Sequence, residues 1–328
     1  MKLIIQIPCY NEEATLPVTL RDLPRAFTGI DAVEVLVVDD GSTDRTIDVA
    51  QAEGVDHLVR LTNHKGLAEG FQAGLDAALR LGADIIVNTD GDNQYKASDI
   101  QKLIDPILAG EADMVIGNRQ VQEIAHFSFV KKRLQSLGSW TVRQLSGTKI
   151  PDVTSGFRAL SREAALRLNV ISRFTYTLET VIQAGKKNLA VTHVPVGTNN
   201  QLRPSRLFSS IPAYLKRSIS TMVRIYALYE PLKIFLTIGS LFFGTGFLVA
   251  LRFFYFYLVG DGTGHIQSLI LSAVLMIVGF QIGVFGLLAD IIASNRRLIE
   301  ETLYRVKKVE LSNNDPSSTA THTRRRDS

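Results

Sequence analysis

The chain has almost no cysteine. Cys9 is the single one among 328 residues, so no intramolecular disulfide can form, and a reducing compartment is expected. Six scattered histidines show no paired metal-ligand spacing with it, so any metal site should rest on carboxylates. Charge of one sign is scarce as well. A balance of 36 Lys and Arg against 32 Asp and Glu leaves +4, and no nucleic-acid partner is expected. The opening run, Met1 to Pro8, lacks the basic segment and long apolar stretch of a secretory signal, which predicts that the N-terminal domain stays where it is made. The glycine fingerprint of a nicotinamide dehydrogenase is missing after the first apolar run, where Pro8 to Glu12 stands. The spaced Gly260, Gly262 and Gly264 follow no soluble strand and lie between long apolar segments.

What is abundant is apolar residue, 46% of the whole, concentrated after Pro231. Before that point short apolar runs alternate with helical spacing. Strands are expected at Leu3 to Ile7, Val33 to Val38, Leu58 to Leu61, Ile85 to Asn88 and Met114 to Ile116. Helices are expected at Glu12 to Ala26, from Ser42 or Thr43, at Gly66 to Leu81 and at Ala97 to Leu108. Arg119 to Gly147 reads as basic, helix-rich and less regular. A turn and strand near Val153 to Phe157, helices at Ser161 to Leu168 and Thr177 to Lys186, and a strand at Leu189 to Val194 follow. The alternation predicts an α/β fold with a mainly parallel, Rossmann-like sheet, ligands gathering at the carboxyl ends of the strands.

The boundaries expected are a globular domain over 1–206, amphipathic juxtamembrane helices over 207–232, two transmembrane helices within 233–294, and a helix end with a disordered tail over 295–328. In the second segment Leu215, Ile219, Met222, Val223 and Tyr226 can share a helix face at a membrane surface, or in a plain packing helix. The runs Ile234 to Val259 and Ile266 to Ala293 are long enough to cross a hydrocarbon core of about 30 Å. Their connector, Gly260 to His265, has no Lys or Arg. Lys216, Arg217, Arg224 and Lys233 precede the hairpin and Arg296, Arg297, Arg305, Lys307 and Lys308 follow it, which predicts an integral membrane protein whose globular domain and both termini face the cytoplasm. Arg252 lies near the aromatic cluster Phe253 to Tyr257, where it can snorkel to the interface. Gly279 and Gly283 have a spacing that lets two helices of the hairpin, or two copies in a homo-oligomer, pack closely.

Two acidic turns carry chemistry. In Val37 to Asp44, Val-Val-Asp-Asp-Gly-Ser-Thr-Asp, a buried strand delivers Asp39 and Asp40 to a glycine turn, where carboxylates can hydrogen-bond a ribose or base edge. An ordinary capped strand-to-helix turn would look the same. In Asn88 to Tyr95, Asp90, Asp92 and Gln94 alternate just past a strand end, a donor set suited to Mg²⁺ or Mn²⁺ contacting a diphosphate, or a solvated acidic turn. Both turns should open on the same edge of the sheet.

Taken in order, Pro8 to Glu12, Val37 to Asp44, Asn63 to Ala68, Asp90 to Gln94, Gly117 to Arg119 and Ser155 to Arg158 resemble the family 2 glycosyltransferases of GT-A fold. The similarity is strongest to dolichol-phosphate mannosyltransferases and bacterial polyprenyl-phosphate glycosyltransferases, and it covers about Met1 to Leu207. The resemblance implies that Pro8, Tyr10, Asn11, Glu12, Val38, Asp39, Asp40, Gly66, Asp90 and Gly91 bind a nucleotide-diphosphate sugar. It implies that Asp90, Asp92 and Gln94 hold a divalent metal, and that Arg119, Lys132, Arg133, Arg203 and Arg206 surround the phosphate of a polyprenyl phosphate acceptor. Lys131 to Arg133 and Arg206 would equally suit a solvated basic face near anionic lipid. Asp92, Arg158 and Asp152 are the candidates for catalytic roles. Arg206 stands where relatives commonly carry Lys, the hairpin is absent from the shortest members, and the Gln-x-x-Arg-Trp sequence of processive synthases is absent here.

The implied reaction is inverting sugar transfer at the membrane surface. A lipid phosphate is already anionic near neutral pH, its second ionisation lying at about 6, so it needs little help from a base. Asp152 could orient the acceptor or accept a proton, or simply serve the turn after Pro151. The competing expectations are a glycosyltransferase with another lipid or glycan acceptor, and a non-catalytic nucleotide-binding membrane scaffold.

Overall fold

The computed structural model describes residues 1–120, 140, 142–143, 146–170, 176–200, 220, 224, 229–260 and 266–313. The chain forms two compact units, one of residues 1–218 with 302–328 and the other of residues 219–301.

In the first unit seven strands make one mixed sheet: β1 (Lys2–Cys9), β2 (Ala32–Asp39), β3 (His57–Arg60), β4 (Ile85–Asn88), β5 (Met114–Asn118), β6 (Arg158–Ser161) and β7 (Val191–Pro195). Their order is β3-β2-β1-β4-β6-β5-β7. β1 runs parallel to β2 and β4, β2 to β3 and β5 to β7, while β6 is antiparallel to both of its neighbours. The central strands are near-continuous apolar runs because helices cover both faces. Leu3, Ile4, Ile5 and Ile7 of β1 are all fully buried, as are Val35 to Val38 of β2 and Ile85 to Val87 of β4.

The covering helices are α1 (Leu16–Asp22), α2 (Thr46–Ala52), α3 (Leu67–Arg80), α4 (Ile100–Leu108, after a single 3-10 turn at Ala97–Asp99), α5 (Arg162–Arg167) and α6 (Thr177–Lys186). In α3 the buried Ala68, Phe71, Leu75, Ala78 and Leu79 recur at helical spacing and lay one face on the sheet. Gly74 of α3 lets that helix approach β1 and β2, since a Cβ there would stand 2.6 Å from Gln6 Oε1 and 3.1 Å from Val38 Cγ2.

Three local expectations shift. α1 spans Leu16–Asp22, not Glu12 to Ala26, and Leu23 is extended ahead of Pro24. α2 opens at Thr46, not at Ser42 or Thr43, because the intervening turn is folded around Asp39 and Asn11. The strand placed at Val153 to Phe157 begins only at Arg158. Val153 and Phe157 are fully buried, but in a turn that precedes the ladder.

The second unit contains α7 (Pro231–Val259) and α8 (Ile266–Asn313) up to residue 301. Both helices are long and apolar enough to cross a membrane. At a rise of about 1.5 Å per residue, α7 is roughly 44 Å long, more than a hydrocarbon core requires. Their large apolar side chains are outward-facing rather than packed, as with Leu241 at 68% and Phe280 at 66% exposure. Glycines line the contact between them. A Cβ on Gly239 would meet Gly279 O at 2.7 Å, one on Gly279 would meet Phe243 N at 2.5 Å, and one on Gly286 would meet Phe235 Cβ at 2.7 Å. Gly279 therefore serves packing within the hairpin. The Arg252 guanidinium lies 5.4 Å from the Phe256 ring centroid and Nη1 reaches Ser268 Oγ at 3.4 Å.

α8 continues well past Ala293 as a charged helix, carried on by the Arg296–Glu300 pair one turn apart. Its last turns, from Thr302, belong to the first unit. There the Tyr304 hydroxyl donates to Glu163 Oε1 at 2.9 Å under the Arg167 guanidinium, and Lys307 Nζ donates to Asp76 Oδ1 at 2.8 Å. The expected amphipathic face at Leu215 to Tyr226, most of the connector to His265, and the tail beyond Asn313 lie outside the described residues.

Candidate active site

The site is laid out by the register of three strands. β1 pairs Cys9 with Asp39 on one side and Gln6 with Asn88 on the other, so the acidic turns after β2 and β4 flank β1 on one edge of the sheet. Two strand spacings, about 10 Å, separate them. Gly91 makes the inner turn fit, since a Cβ there would stand 3.0 Å from Cys9 Sγ and 3.5 Å from Glu12 Cγ. Burial, with Glu12 and Asp39 nearby, pushes the Cys9 thiol up, so it stays a protonated core residue.

On the β2 side the turn is tightly bonded. Asp39 is fully buried and accepts the Ser42 N–H, while Asn11, at φ 55, donates its N–H to Ser42 Oγ at 2.9 Å and accepts the Thr43 N–H at 2.8 Å. Gly41, at φ 70, passes so close to residues 63 and 64 that a Cβ would lie 2.5 Å from the Asn63 carbonyl carbon. Asp40 accepts the N–H groups of Lys65 and Gly66 on Oδ1 and Oδ2, each at 2.8 Å, fixing the loop that enters α3. Glu12 is buried and accepts from Thr15 Oγ1 at 2.6 Å; its own N–H donates to Thr46 Oγ1 at 2.8 Å. Val38 is fully buried, Pro8 sits on β1 beside Gly70, and Tyr10 is exposed and stacked on His64 at 3.9 Å.

On the β4 side Gln94 donates its amide to Asp90 Oδ2 and its N–H to Asp92 Oδ1 at 3.2 Å, which draws all three predicted ligands together. Burial and the neighbouring charge of Asp92 push Asp90 up to about 7, against the pull of Arg119 and Arg158. Two carboxylates repelling one another in a largely enclosed turn is a donor set that a cation would relieve. Among the described residues no group of three or more His, Cys, Asp or Glu side chains surrounds one point.

The far wall comes from β5, β6 and the start of α6. Arg119 grips Asp152 with Nε at 2.8 Å from Oδ2 and Nη2 at 3.0 Å from Oδ1, and Nη2 also reaches Thr154 Oγ1 at 2.9 Å. Burial alone would raise Asp152, but the Arg119 charge outweighs it and holds the carboxyl below the usual range. Arg158 is fully buried. Its guanidinium donates to Ser155 O, Thr177 O and Thr180 Oγ1 and lies 5.2 Å from the Tyr176 ring centroid, while Nε and the Ser155 Oγ have no hydrogen-bond partner among the described residues. Burial lowers its pKa. Lys132, Arg133, Arg203 and Arg206 lie outside the described residues.

Several contributors carried no role in the sequence reading. Gly156 stands against Asp90: a Cβ there would meet Asp90 Oδ1 at 2.9 Å and the Tyr176 hydroxyl at 3.0 Å. Its peptide is clamped, the N–H donating to the Tyr95 hydroxyl at 3.0 Å and the carbonyl accepting from Asn88 Nδ2 at 2.8 Å. Asn88 Nδ2 also donates to the Tyr176 hydroxyl at 3.0 Å, and Gln6 Nε2 to Asn88 Oδ1 at 2.9 Å. Gly156 and His64 fall inside sequence motifs that could have flagged them. Tyr176 has no local signal at all.

Comparison with known proteins gives the family and the fold. Residues 4–168 match the family model described as Glycosyl transferase family 2. The polyprenol monophosphomannose synthase of Mycolicibacterium smegmatis is 29% identical over 63% of this chain and 81% of its own. Glycosyltransferase AglJ of Haloferax volcanii is 28% identical over 93% of this chain and 97% of its own, a span that includes the hairpin. Among solved structures, glucosyl-3-phosphoglycerate synthase from Mycobacterium tuberculosis, in complex with Mn²⁺, UDP-glucose and phosphoglyceric acid, superposes with a TM-score of 0.53 at 22% identity, covering 67% of this chain and 79% of that one; this likeness is one of fold. With its family model matched across the two acidic turns and the β6 motif, the chain belongs to glycosyl transferase family 2 and is a glycosyltransferase.

Proposed function

We propose that the protein transfers a sugar from a nucleotide-diphosphate sugar to a polyprenyl phosphate at a membrane surface, with inversion at the anomeric carbon. One observation carries the reading: the two acidic turns flank β1 on one sheet edge about 10 Å apart, a span that suits a nucleoside at one and a diphosphate at the other. The names of relatives that use polyprenyl phosphates, and two helices able to hold the site at a bilayer, support the acceptor class.

Asp90 and Asp92, with Gln94, would hold a divalent cation, the remaining positions being left to the donor and water. When bound, such a cation stabilises the charge that develops on the departing diphosphate. The protein's own residues do the rest. The Arg119 charge favours the ionised form of Asp90 and adds positive potential where phosphates would gather. Asp152 is held ionised by a two-pronged grip on Arg119, which suits orienting that guanidinium better than collecting a proton. The acceptor phosphate, already anionic, attacks from the face opposite the diphosphate, so no base is required. Arg158, enclosed among backbone carbonyls, supports the β6 turn from behind. The hairpin spans the membrane with the catalytic domain and both termini on the cytoplasmic side, in keeping with the basic flanks.

The test is transfer of label from nucleotide sugars, GDP-mannose first, into organic-phase product by purified protein supplied with polyprenyl phosphate. Water-soluble product only, or an equal rate without lipid, would overturn the acceptor assignment.

A further inference from the structure

His64 makes both contacts that a nucleobase would make at the β2 turn. Its ring stacks on Tyr10, centroids 3.9 Å apart and planes 24° from parallel, and its Nδ1 lies 2.9 Å from Asp40 Oδ2. A carboxylate accepts only, so the proton of that bond is on Nδ1. An aromatic face on Tyr10 together with a ring N–H on Asp40 is the pairing available to a base carrying an imino N–H, such as uracil or guanine.

The other two donors to Asp40 are the backbone N–H groups of Lys65 and Gly66, which are part of the turn into α3 and stay in place. His64 differs from them. It is a side chain, half exposed, on a loop before the helix, whereas Asp40 beneath it is only 4% exposed. When the imidazole swings out it leaves one acceptor position on Asp40 beside one face of Tyr10.

We propose that His64 is a stand-in for the donor base, holding the nucleoside site closed until a nucleotide displaces it, and that it thereby sets donor affinity. This rests on the nucleotide-sugar reading above. A contact whose outer partner is half exposed contributes on the order of a surface pair, about 0.2–1 kcal/mol, so the competition is worth roughly a 1.5- to 5-fold factor in affinity. That is enough to tune binding without abolishing it.

The experiment is calorimetric titration of the full-length protein in detergent with Mg²⁺, using UDP, GDP and, as a base-free probe, inorganic diphosphate. His64→Ala should bind the preferred nucleotide about 1.5- to 5-fold more tightly than the unaltered protein. Inorganic diphosphate, which has no base to compete, should bind both proteins alike. Tyr10→Ala should weaken nucleotide binding while leaving inorganic diphosphate unchanged. Unchanged or weaker nucleotide binding by His64→Ala would overturn the stand-in role while leaving the donor reading intact. Equal tightening toward inorganic diphosphate would overturn it too, since the effect would not lie at the base. If neither nucleotide binds the unaltered protein, the nucleotide-sugar reading itself fails, and this inference with it.

Discussion

Gly156→Ala is the substitution from which the site's geometry makes the sharpest demand. The added methyl would sit 2.9 and 3.1 Å from the two carboxylate oxygens of Asp90 and 3.0 Å from the Tyr176 hydroxyl. These distances are several tenths of an ångström inside comfortable carbon–oxygen contact, so something must move. The backbone cannot easily retreat, because the Gly156 N–H is held by Tyr95 and its carbonyl by Asn88. Tyr176 is pinned as well, stacked on Phe71 at 3.9 Å. Asp90, held by the flexible Gln94 side chain rather than by backbone, is the group that must shift. Overpacking of this kind costs about 1–3 kcal/mol, which for a domain of this size lowers Tm by roughly 3–10 °C. The loss of activity should be larger than that modest destabilisation suggests, because a misplacement of about 1 Å at a reacting centre can cost on the order of 100-fold in rate. The assay is organic-phase transfer at saturating donor, run beside thermal unfolding and a titration of Mn²⁺ dependence. A drop of at least about tenfold in rate, with weakened metal dependence and a protein still folded at assay temperature, is expected. Wild-type rate and metal dependence in a folded Gly156→Ala protein would refute the placement of Asp90 at the reaction centre.

Other outcomes follow from the same contacts. Asp152→Asn strands the Arg119 guanidinium, whose side chain is only 11% exposed, and should cost about 3–5 kcal/mol in denaturant unfolding at neutral pH. Because Arg119 depresses the folded-state pKa of Asp152, the pair's stabilisation is present above the unfolded value of about 4 and is lost as pH falls through the lower folded value; the unaltered protein should therefore lose stability on acidification more steeply than Asp152→Asn, and parallel pH profiles would contradict this. Gly279→Val should separate α7 from α8, seen as loss of disulfide cross-linking between cysteines placed at positions 236 and 283; cross-linking at the original yield would count against the packing through glycine. Chelation should stop transfer and added Mn²⁺ or Mg²⁺ restore it, while Asp92→Ala should stay inactive with either ion.

The strands that carry the two acidic turns were legible because each is an apolar run leading into acid, and the parallel register about β1 then has only one way to place those ends. What the sequence hid lies where local pattern and tertiary role part company. Val153 and Phe157 look like strand residues because burial, not pairing, makes them apolar. The reversal of β6 between β4 and β5 depends on partners far apart in the chain. Arg158 sits in a sequence motif beside the site, but nothing local tells whether a guanidinium faces a cleft or, as here, backbone carbonyls in the interior. Tyr176 reaches the Asp90 turn from the start of α6, a contact no spacing rule anticipates. Hydropathy marks where α8 ceases to be apolar, near Ala293, yet charge pairs such as Arg296 with Glu300 carry the same helix on to Asn313.

The central claim is that the β2 and β4 turns jointly hold a nucleotide-diphosphate sugar for attack by a lipid phosphate. Its most direct test is to supply purified protein, in vesicles containing polyprenyl phosphate, with a nucleotide sugar labelled in the sugar and to follow the anomeric configuration of the organic-phase product. Metal-dependent formation of a glycosyl phosphate lipid of inverted configuration, abolished by Asp90→Ala, is the predicted result. Retention of configuration, or lipid product formed undiminished by the Asp90→Ala protein, would contradict the account.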